Sequence, residues 1–144
     1  MMSKVIAVNI SEKKGVIKHP IEKGFFRVNH GLDGDAHAGE WHRQVSLLGI
    51  ESIDKMKSSE AEGLTPGKFA ENITTEGIVL YELPIGTKLK IGDVMLEVTQ
   101  IGKECHLGCE IRKLVGDCVM PREGIFTKVL EEGYIKAGDN IIIV

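Results

Sequence analysis

Apolar and polar residues alternate with period two over much of the chain, the spacing of half-buried strands. Leu89 and Ile91 alternate with lysines, and Leu96 and Val98 alternate with Met95, Glu97 and Thr99. Gly92-Asp93 lies between them, so residues 86–98 read as a hairpin. Residues 133–144 repeat the theme of strand, Gly-Asp turn and strand, and predict a second hairpin turning the same way. Val5 opens a strand over 5–10, and shorter ones are expected at 25–28, 45–48 and 73–75. Helical spacing is rarer. Ile50, Ile53 and Met56, with Glu51, Asp54, Lys55 and Lys57 between them, predict one amphipathic helix over 49–58. A second is expected over 107–115, and a third over 124–131 with Gly133 at its C′ position. Thr65-Pro66-Gly67 reads as a loop. The expected fold is mostly β with a few short helices, a closed or partly open β-barrel, in one domain spanning 1–144.

Composition narrows the function. Lys plus Arg is 18 against 21 Asp plus Glu, a net charge of -3, and no stretch is strongly basic. A phosphate-neutralising nucleic-acid surface is therefore not expected. Aromatic residues are 5%, too few for a platform on which bases stack. No apolar run reaches membrane-spanning length, so no membrane partner is expected. The first residues enter a strand without the apolar stretch of a signal peptide. A cytoplasmic location follows as an expectation, with three cysteines held as thiols.

Three segments carry candidate chemistry. In the first, residues 100–111, Cys105 stands between an expected strand and an expected helix, with Lys103 close by and His106 next. A helix N-terminus and a nearby cation both raise the thiolate fraction, and thiolate binds metals and carries sulfur. The alternative is a small buried hydrophobe, the common fate of free cysteines. Cys109 and Cys118 read as packing residues, because C-x3-C-x8-C is not zinc-knuckle spacing. The second segment, residues 29–46, holds His30, His37 and His42 with Asp33, Asp35 and Glu40 among glycines. It reads either as a site rim or as a solvated loop whose Asp and Gly residues make turns. The Asp33-x-Asp35 pair lacks a following calcium-ligand ladder. Arg43 is the strongest candidate here, since its guanidinium fork suits a phosphate or carboxylate. In the third segment, residues 67–77, Asn72, Thr74 and Thr75 could bind a polar ligand or satisfy local backbone groups. Ser46 lies inside a strand pattern and is no candidate nucleophile; no Walker loop, dinucleotide fingerprint or Gly-x-Ser-x-Gly elbow occurs.

Taken in order, residues 31–37, 43–48, 69–77, 89–92 and 96–100 and the segment around Cys105 resemble the MOSC family, in its short stand-alone bacterial form. The family is named after the C-terminal domain of molybdenum-cofactor sulfurase. The resemblance covers nearly the whole chain and implies a β-rich barrel that binds molybdenum cofactor, a pterin dithiolene carrying a phosphate. It places the family's signature cysteine on Cys105, as a molybdenum ligand or a persulfide carrier. Larger members have an additional N-terminal β-rich domain, which this chain is expected to lack. They tend to carry Arg where Ala70 stands here. No pyridoxal-phosphate domain is expected, and no lysine is assigned as a Schiff base.

The resulting expectation is a binding and carrier module. Arg43, Asn72, Thr74 and Lys103 contact the cofactor, and Cys105 ligates molybdenum or carries sulfur delivered by, or passed to, a partner protein. A second reading is a molybdenum-dependent reductase of N-hydroxylated compounds with a separate electron donor. There Cys105, His37 and His106 are catalytic, the histidines being proton donors. A third is a non-catalytic assembly factor acting through protein contacts. A zinc site built from Cys105, His106 and loop histidines is the remaining alternative.

Overall fold

The strands form where β-branched and aliphatic residues alternate with polar ones. The structure, a computed structural model, describes residues 3–13, 17–56, 67, 69–102 and 123–144. Along the chain run β1 (Ser3–Ile10), β2 (His19–Ile21), β3 (Lys23–Arg27), β4 (Gly31–Leu32) and β5 (Val45–Gly49). Then follow α1 (Ile50–Met56), β6 (Ile73–Glu76), a 3-10 turn (Leu80–Glu82), β7 (Lys88–Ile91) and β8 (Val94–Ile101). β9 (Ile125–Glu131), β10 (Gly133–Lys136) and β11 (Asn140–Ile143) complete the order. No helix among the described residues is long and apolar enough to cross a membrane.

Seven strands close into a barrel in the order β11-β7-β8-β9-β5-β6-β1, with β1 pairing back onto β11 and β2 added to the outside of β1. Closure leaves the barrel strands no free edge. Every pairing in the ring is antiparallel except β5–β6. A parallel pair needs a crossover, and the one from β5 to β6 begins with α1. Each barrel strand sends aliphatic side chains inward, among them Val8, Leu47, Ile73, Leu96, Ile125 and Ile141, all in one core cluster. A second sheet, β10-β3-β4, adds Phe26, Leu32 and Ile135 to that cluster. On the other side of β5, Leu48 is fully buried, as is Ile53 of α1; neither belongs to the barrel cluster.

Two sequence expectations fail. Residues 124–131 do not form a helix; Ile125–Glu131 is β9, paired with both β5 and β8. Ile125 and Val129 are four apart, which fits a helical stripe, but Thr127 between them is equally buried, and that is period two. The C-terminal repeat is not a hairpin either. β10 pairs with β3 in the small sheet, while β11 pairs with β7 and β1 in the barrel. The Gly138-Asp139 turn instead hands the chain from one sheet to the other. It is tied to β1 by Gly138 N–H to the Val5 carbonyl and Val5 N–H to the Asp139 carbonyl, both 2.8 Å. The hairpin expected over 86–98 is present, with Lys88↔Glu97 to Ile91↔Val94 in register. The helix expected over 49–58 appears as α1, and the one over 107–115 lies outside the described residues.

Gly31 shows how tightly the segment entering β5 is held. Its φ is +113°, and a Cβ there would sit 2.6 Å from the Gln44 carbonyl oxygen. Gly138 has φ +94° with nothing within 4 Å of the same position. Gly31→Ala is expected to destabilise by roughly 2–4 kcal/mol, because backbone must move. Gly138→Ala meets conformational strain alone, about 1 kcal/mol. Urea midpoints at unchanged slope measure both, and equal shifts would contradict the close contact at Gly31.

Candidate functional site

The barrel interior is filled by aliphatic side chains, so polar chemistry collects on the outer face of β1, β5, β6 and β9. Alternation turns Asn9, Ser46, Thr74 and Phe126 outward from neighbours that point into the core. They are buried all the same, by chain packed over that face. Three connected groups of residues lie there.

Asn72 makes the first. Its N–H donates to both the carbonyl and the Oγ of Ser46 (3.0 Å each), and its Oδ1 accepts the Ser46 N–H at 3.0 Å. Its Nδ2 donates to the Asn9 carbonyl at 3.3 Å, and its own carbonyl accepts Asn9 N–H at 2.7 Å. One side chain thus ties β1 to β5. Thr74 continues the chain of bonds: its Oγ1 accepts from Asn9 Nδ2 at 3.0 Å and donates to Glu71 Oε2 at 2.7 Å. Glu71 has no exposed surface and also accepts N–H bonds from Gly67 and Phe69 (3.0 and 3.2 Å). Burial pushes its carboxyl above the ordinary value, and the Gly67, Thr74 and Phe69 donors only partly offset that.

A buried ion pair makes the second. Lys18 Nζ lies 2.8 Å from Asp35 Oδ1, with both side chains fully shielded from solvent. The same ammonium reaches Ser11 Oγ and His37 Nδ1, each at 3.0 Å. Asp35 Oδ1 also accepts Ser11 N–H at 3.1 Å, and Oδ2 accepts His37 N–H at 3.1 Å. Burial alone would raise the Asp35 carboxyl. The charge and hydrogen bond of Lys18 outweigh it, helped by the Ser11 N–H and the Asn72 side chain, and hold Asp35 below its ordinary value. Gly67 joins the two groups: its carbonyl accepts the Lys18 N–H at 2.8 Å and its N–H donates to Glu71 Oε2 at 3.0 Å.

The third group follows in sequence. Trp41 Nε1 donates to the His37 carbonyl at 2.8 Å. The Arg43 guanidinium lies over the Trp41 ring at 4.7 Å and over the Phe126 ring at 5.6 Å. Arg43 Nε is buried and has no hydrogen-bond partner among the described residues. His42 Nε2 is 2.8 Å from Gln100 Oε1, and Thr99 Oγ1 donates to the His42 carbonyl. Thr99 and Gln100 sit at the end of β8, where Gly102 N–H bonds the Gly124 carbonyl at 2.7 Å.

Of the residues expected from the sequence, His37, Arg43, Asn72 and Thr74 meet here. Lys103, Cys105, His106, Cys109 and Cys118 lie outside the described residues. The loop over 29–46 is not a solvated loop at Asp35. The expected acidic pair splits: Asp35 turns in to Lys18, and Asp33 turns out to Arg27 at 3.3 Å. Among the described residues no group of three His, Cys, Asp or Glu side chains could hold a metal ion. Lys18, Glu71 and Asn9 escaped the sequence reading. The available signal was a charged residue flanked by apolar ones, Ile17 before Lys18 and Phe69-Ala70 before Glu71.

The two carboxylates make opposite demands on pH. Asp35, lowered when folded, contributes stability above its ordinary value of 3.8, lost as pH falls through the folded value. Glu71, raised when folded, costs stability as pH rises above its ordinary 4.5, because the unfolded chain ionises first. Glu71→Gln is expected to remove that alkaline-side decline in urea midpoints between about pH 4 and pH 8. An unchanged slope would mean that Glu71 ionises in place. Asp35→Asn strands the Lys18 charge and is expected to cost about 3–5 kcal/mol at neutral pH.

The pattern of the MOSC domain matches residues 33–142, from the turn after β4 into β11. No curated protein matches the chain. Several solved structures share its fold. YuaD of Bacillus subtilis superimposes with a TM-score of 0.82 at 20% identity, over 98% of this chain and 94% of that one. YiiM of Geobacillus stearothermophilus gives 0.77 at 18%, over 99% and 75%. YiiM of Escherichia coli gives 0.73 at 17%, over 100% and 70%. The matched stretch contains Asp35, His37, Arg43 and Asn72 and all the barrel strands except β1, and by that match the chain belongs to the MOSC domain family.

Proposed function

We propose that this chain binds molybdenum cofactor on the outer face of its barrel, with Cys105 as the sulfur that meets the metal. One observation carries the reading. The Arg43 guanidinium lies over two aromatic rings, with its Nε buried and without an acceptor among the described residues. A buried guanidinium donor without a partner is costly, and a ligand phosphate or carboxylate removes that cost. MOSC domains are associated with molybdenum cofactor, whose pterin carries such a phosphate. The donor set fits the group.

Arg43 grips the anionic end, and Trp41 and Phe126 fix its guanidinium plane. His37, half-buried beside Asp35, holds a proton for an oxygen on the ligand. Asn72 and Thr74 have no exposed surface, so they act by holding β1, β5 and the Glu71 turn in place beneath the site. Cys105 follows Gly102 by three residues in the sequence, with Lys103 and His106 beside it. Its thiolate is the ligand for metal. Bound cofactor supplies a dithiolene-held molybdenum, whose redox chemistry no side chain here provides.

Anaerobic native mass spectrometry after incubation with molybdenum cofactor tests this. The wild-type protein is expected to retain pterin and molybdenum. Arg43→Gln is expected to need about 10- to 100-fold more cofactor for the same occupancy, the loss of a charge-assisted pair. Cys105→Ser is expected to lose the molybdenum. Equal retention by all three proteins would overturn the reading. A single added sulfur on Cys105 after treatment with polysulfide, whose sulfane sulfur passes to the thiolate as a shorter polysulfide leaves, with no pterin retained, would replace it by sulfur carriage.

A further inference from the structure

β5 and β6 are the parallel pair of the barrel ring, so both leave it at the same end. Gly49 stands opposite Thr75 there; beyond them β5 turns into α1, and β6 runs on toward the 3-10 turn. Two chains that diverge from neighbouring parallel strands leave a crevice between them. Here it is a cavity of about 320 Å³, at the lower end of the range for small-molecule sites. None of the described residues assigned to the cofactor lines it. Ile78, Val79 and Leu80 make its apolar wall, and Leu80 is also part of the barrel core.

Polar side chains gather at the β5–α1 corner, where Gly49, Glu51 and Ser52 line the cavity. Gly77 N–H donates to Glu51 Oε2 at 2.7 Å and fixes that carboxylate across the crevice. Glu51 Oε1 then lies 3.0 Å from the point where a Cβ on Gly49 would stand. Thr75 Oγ1 lies 3.8 Å from the same point, so the missing side chain leaves a niche bounded by both oxygens. Thr75 has no exposed surface, and its hydroxyl has no hydrogen-bond partner among the described residues, which costs free energy. Ser52 Oγ donates to Glu123 Oε1 at 2.6 Å and is left as an acceptor toward anything else. No Lys or Arg lines the cavity among the described residues.

An ammonium supplies what this corner lacks, a positive charge with three N–H donors and no acceptor. We infer that the cavity binds a small free amine in its protonated form, a primary ammonium on a branched or cyclic apolar body. The head enters the Gly49 niche beside Glu51 Oε1 and Thr75 Oγ1, and the body packs on Ile78, Val79 and Leu80. The wall runs over four consecutive side chains, Ile78 to Tyr81, which matches a broad body better than an unbranched stem. Burial of the body supplies the affinity. Glu51 is exposed, so its charge chiefly selects the sign of the ligand. A carboxylate ligand would meet like charge there, and a metal ion lacks three ligating side chains among the described residues. The inference goes beyond the cofactor reading and does not depend on it.

Titration of the isotope-labelled protein with cyclohexylmethylammonium, cyclohexylmethanol and cyclohexanecarboxylate, followed by amide spectra at neutral pH, tests it without cofactor. The ammonium is expected to shift the Gly49 and Gly77 signals to saturation, the alcohol more weakly and the carboxylate not at all. Glu51→Gln is expected to need about 3- to 10-fold more ammonium for half-saturation. Thr75→Val is expected to raise the urea midpoint and weaken ammonium binding together, a combination that a packing role alone does not give. In Gly49→Ala the new Cβ meets the end of a flexible Glu51 side chain rather than backbone, so the protein is expected to fold and to lose the ammonium. Absence of any shift, equal shifts by all three probes, or wild-type affinity in Glu51→Gln overturns the inference. A folded Gly49→Ala protein that binds as the wild type overturns it as well; if that variant does not fold, Glu51→Gln decides. Tighter binding of Nα-acetyl-lysine amide than of cyclohexylmethylammonium overturns the free amine in favour of a lysine on a partner protein.

Discussion

A barrel closed by β1 pairing with both β6 and β11, and filled by aliphatic side chains from every strand, has no interior place for a charged group. Everything polar must be built on its outside. There, polar side chains escape the desolvation cost only if other parts of the chain cover them and complete their hydrogen bonds. That constraint accounts for Asn9, Ser46 and Thr74, buried on the outward side of strands whose other side makes the core, and for Glu71 and Asn72, buried just before β6.

The Lys18–Asp35 pair is the most exacting element on that outer face. Burying two charges contributes little net stability, yet removing one partner costs several kcal/mol. Such a pair acts as a register pin. It joins the segment before β2 to the loop before β5, residues 17 apart in sequence, and leaves His37 and Trp41 in one arrangement. Arg43 is placed differently, over the faces of Trp41 and Phe126, and makes no ion pair with a carboxylate among the described residues. Among the described residues the outer face thus carries one cation paired with a carboxylate, Lys18, and one laid over aromatic rings, Arg43.

Much of the barrel was legible from period-two alternation, because a strand with one face in an apolar core must alternate whatever its neighbours are. β1, β3, β5, β6, β7 and β8 were recognisable in this way, and the hairpin across Gly92-Asp93 appears as expected. β9 was not. Its Ile125 and Val129, with Phe126 and Leu130, repeat at four residues as well as at two, and only pairing with β5 and β8 separates the periods. The Gly138-Asp139 turn was misread for the same kind of reason. A turn and two apolar runs look alike whether the strands pair with each other or leave for different sheets.

The site divides along the same line. Arg43, His37, Asn72 and Thr74 stood out in the sequence because polar residues cluster there and because the segments resemble a known family. Residue type and order are local properties, and the chain itself determines them. Lys18 and Glu71 did not stand out, and Asp35 read as either a site-rim carboxylate or a turn residue. Their burial and the lowered and raised carboxyls depend on partners from several strands and loops meeting at one point on the barrel wall. Desolvation and charge pairing are set by the distance between groups far apart in sequence, and that distance exists only once the barrel has closed.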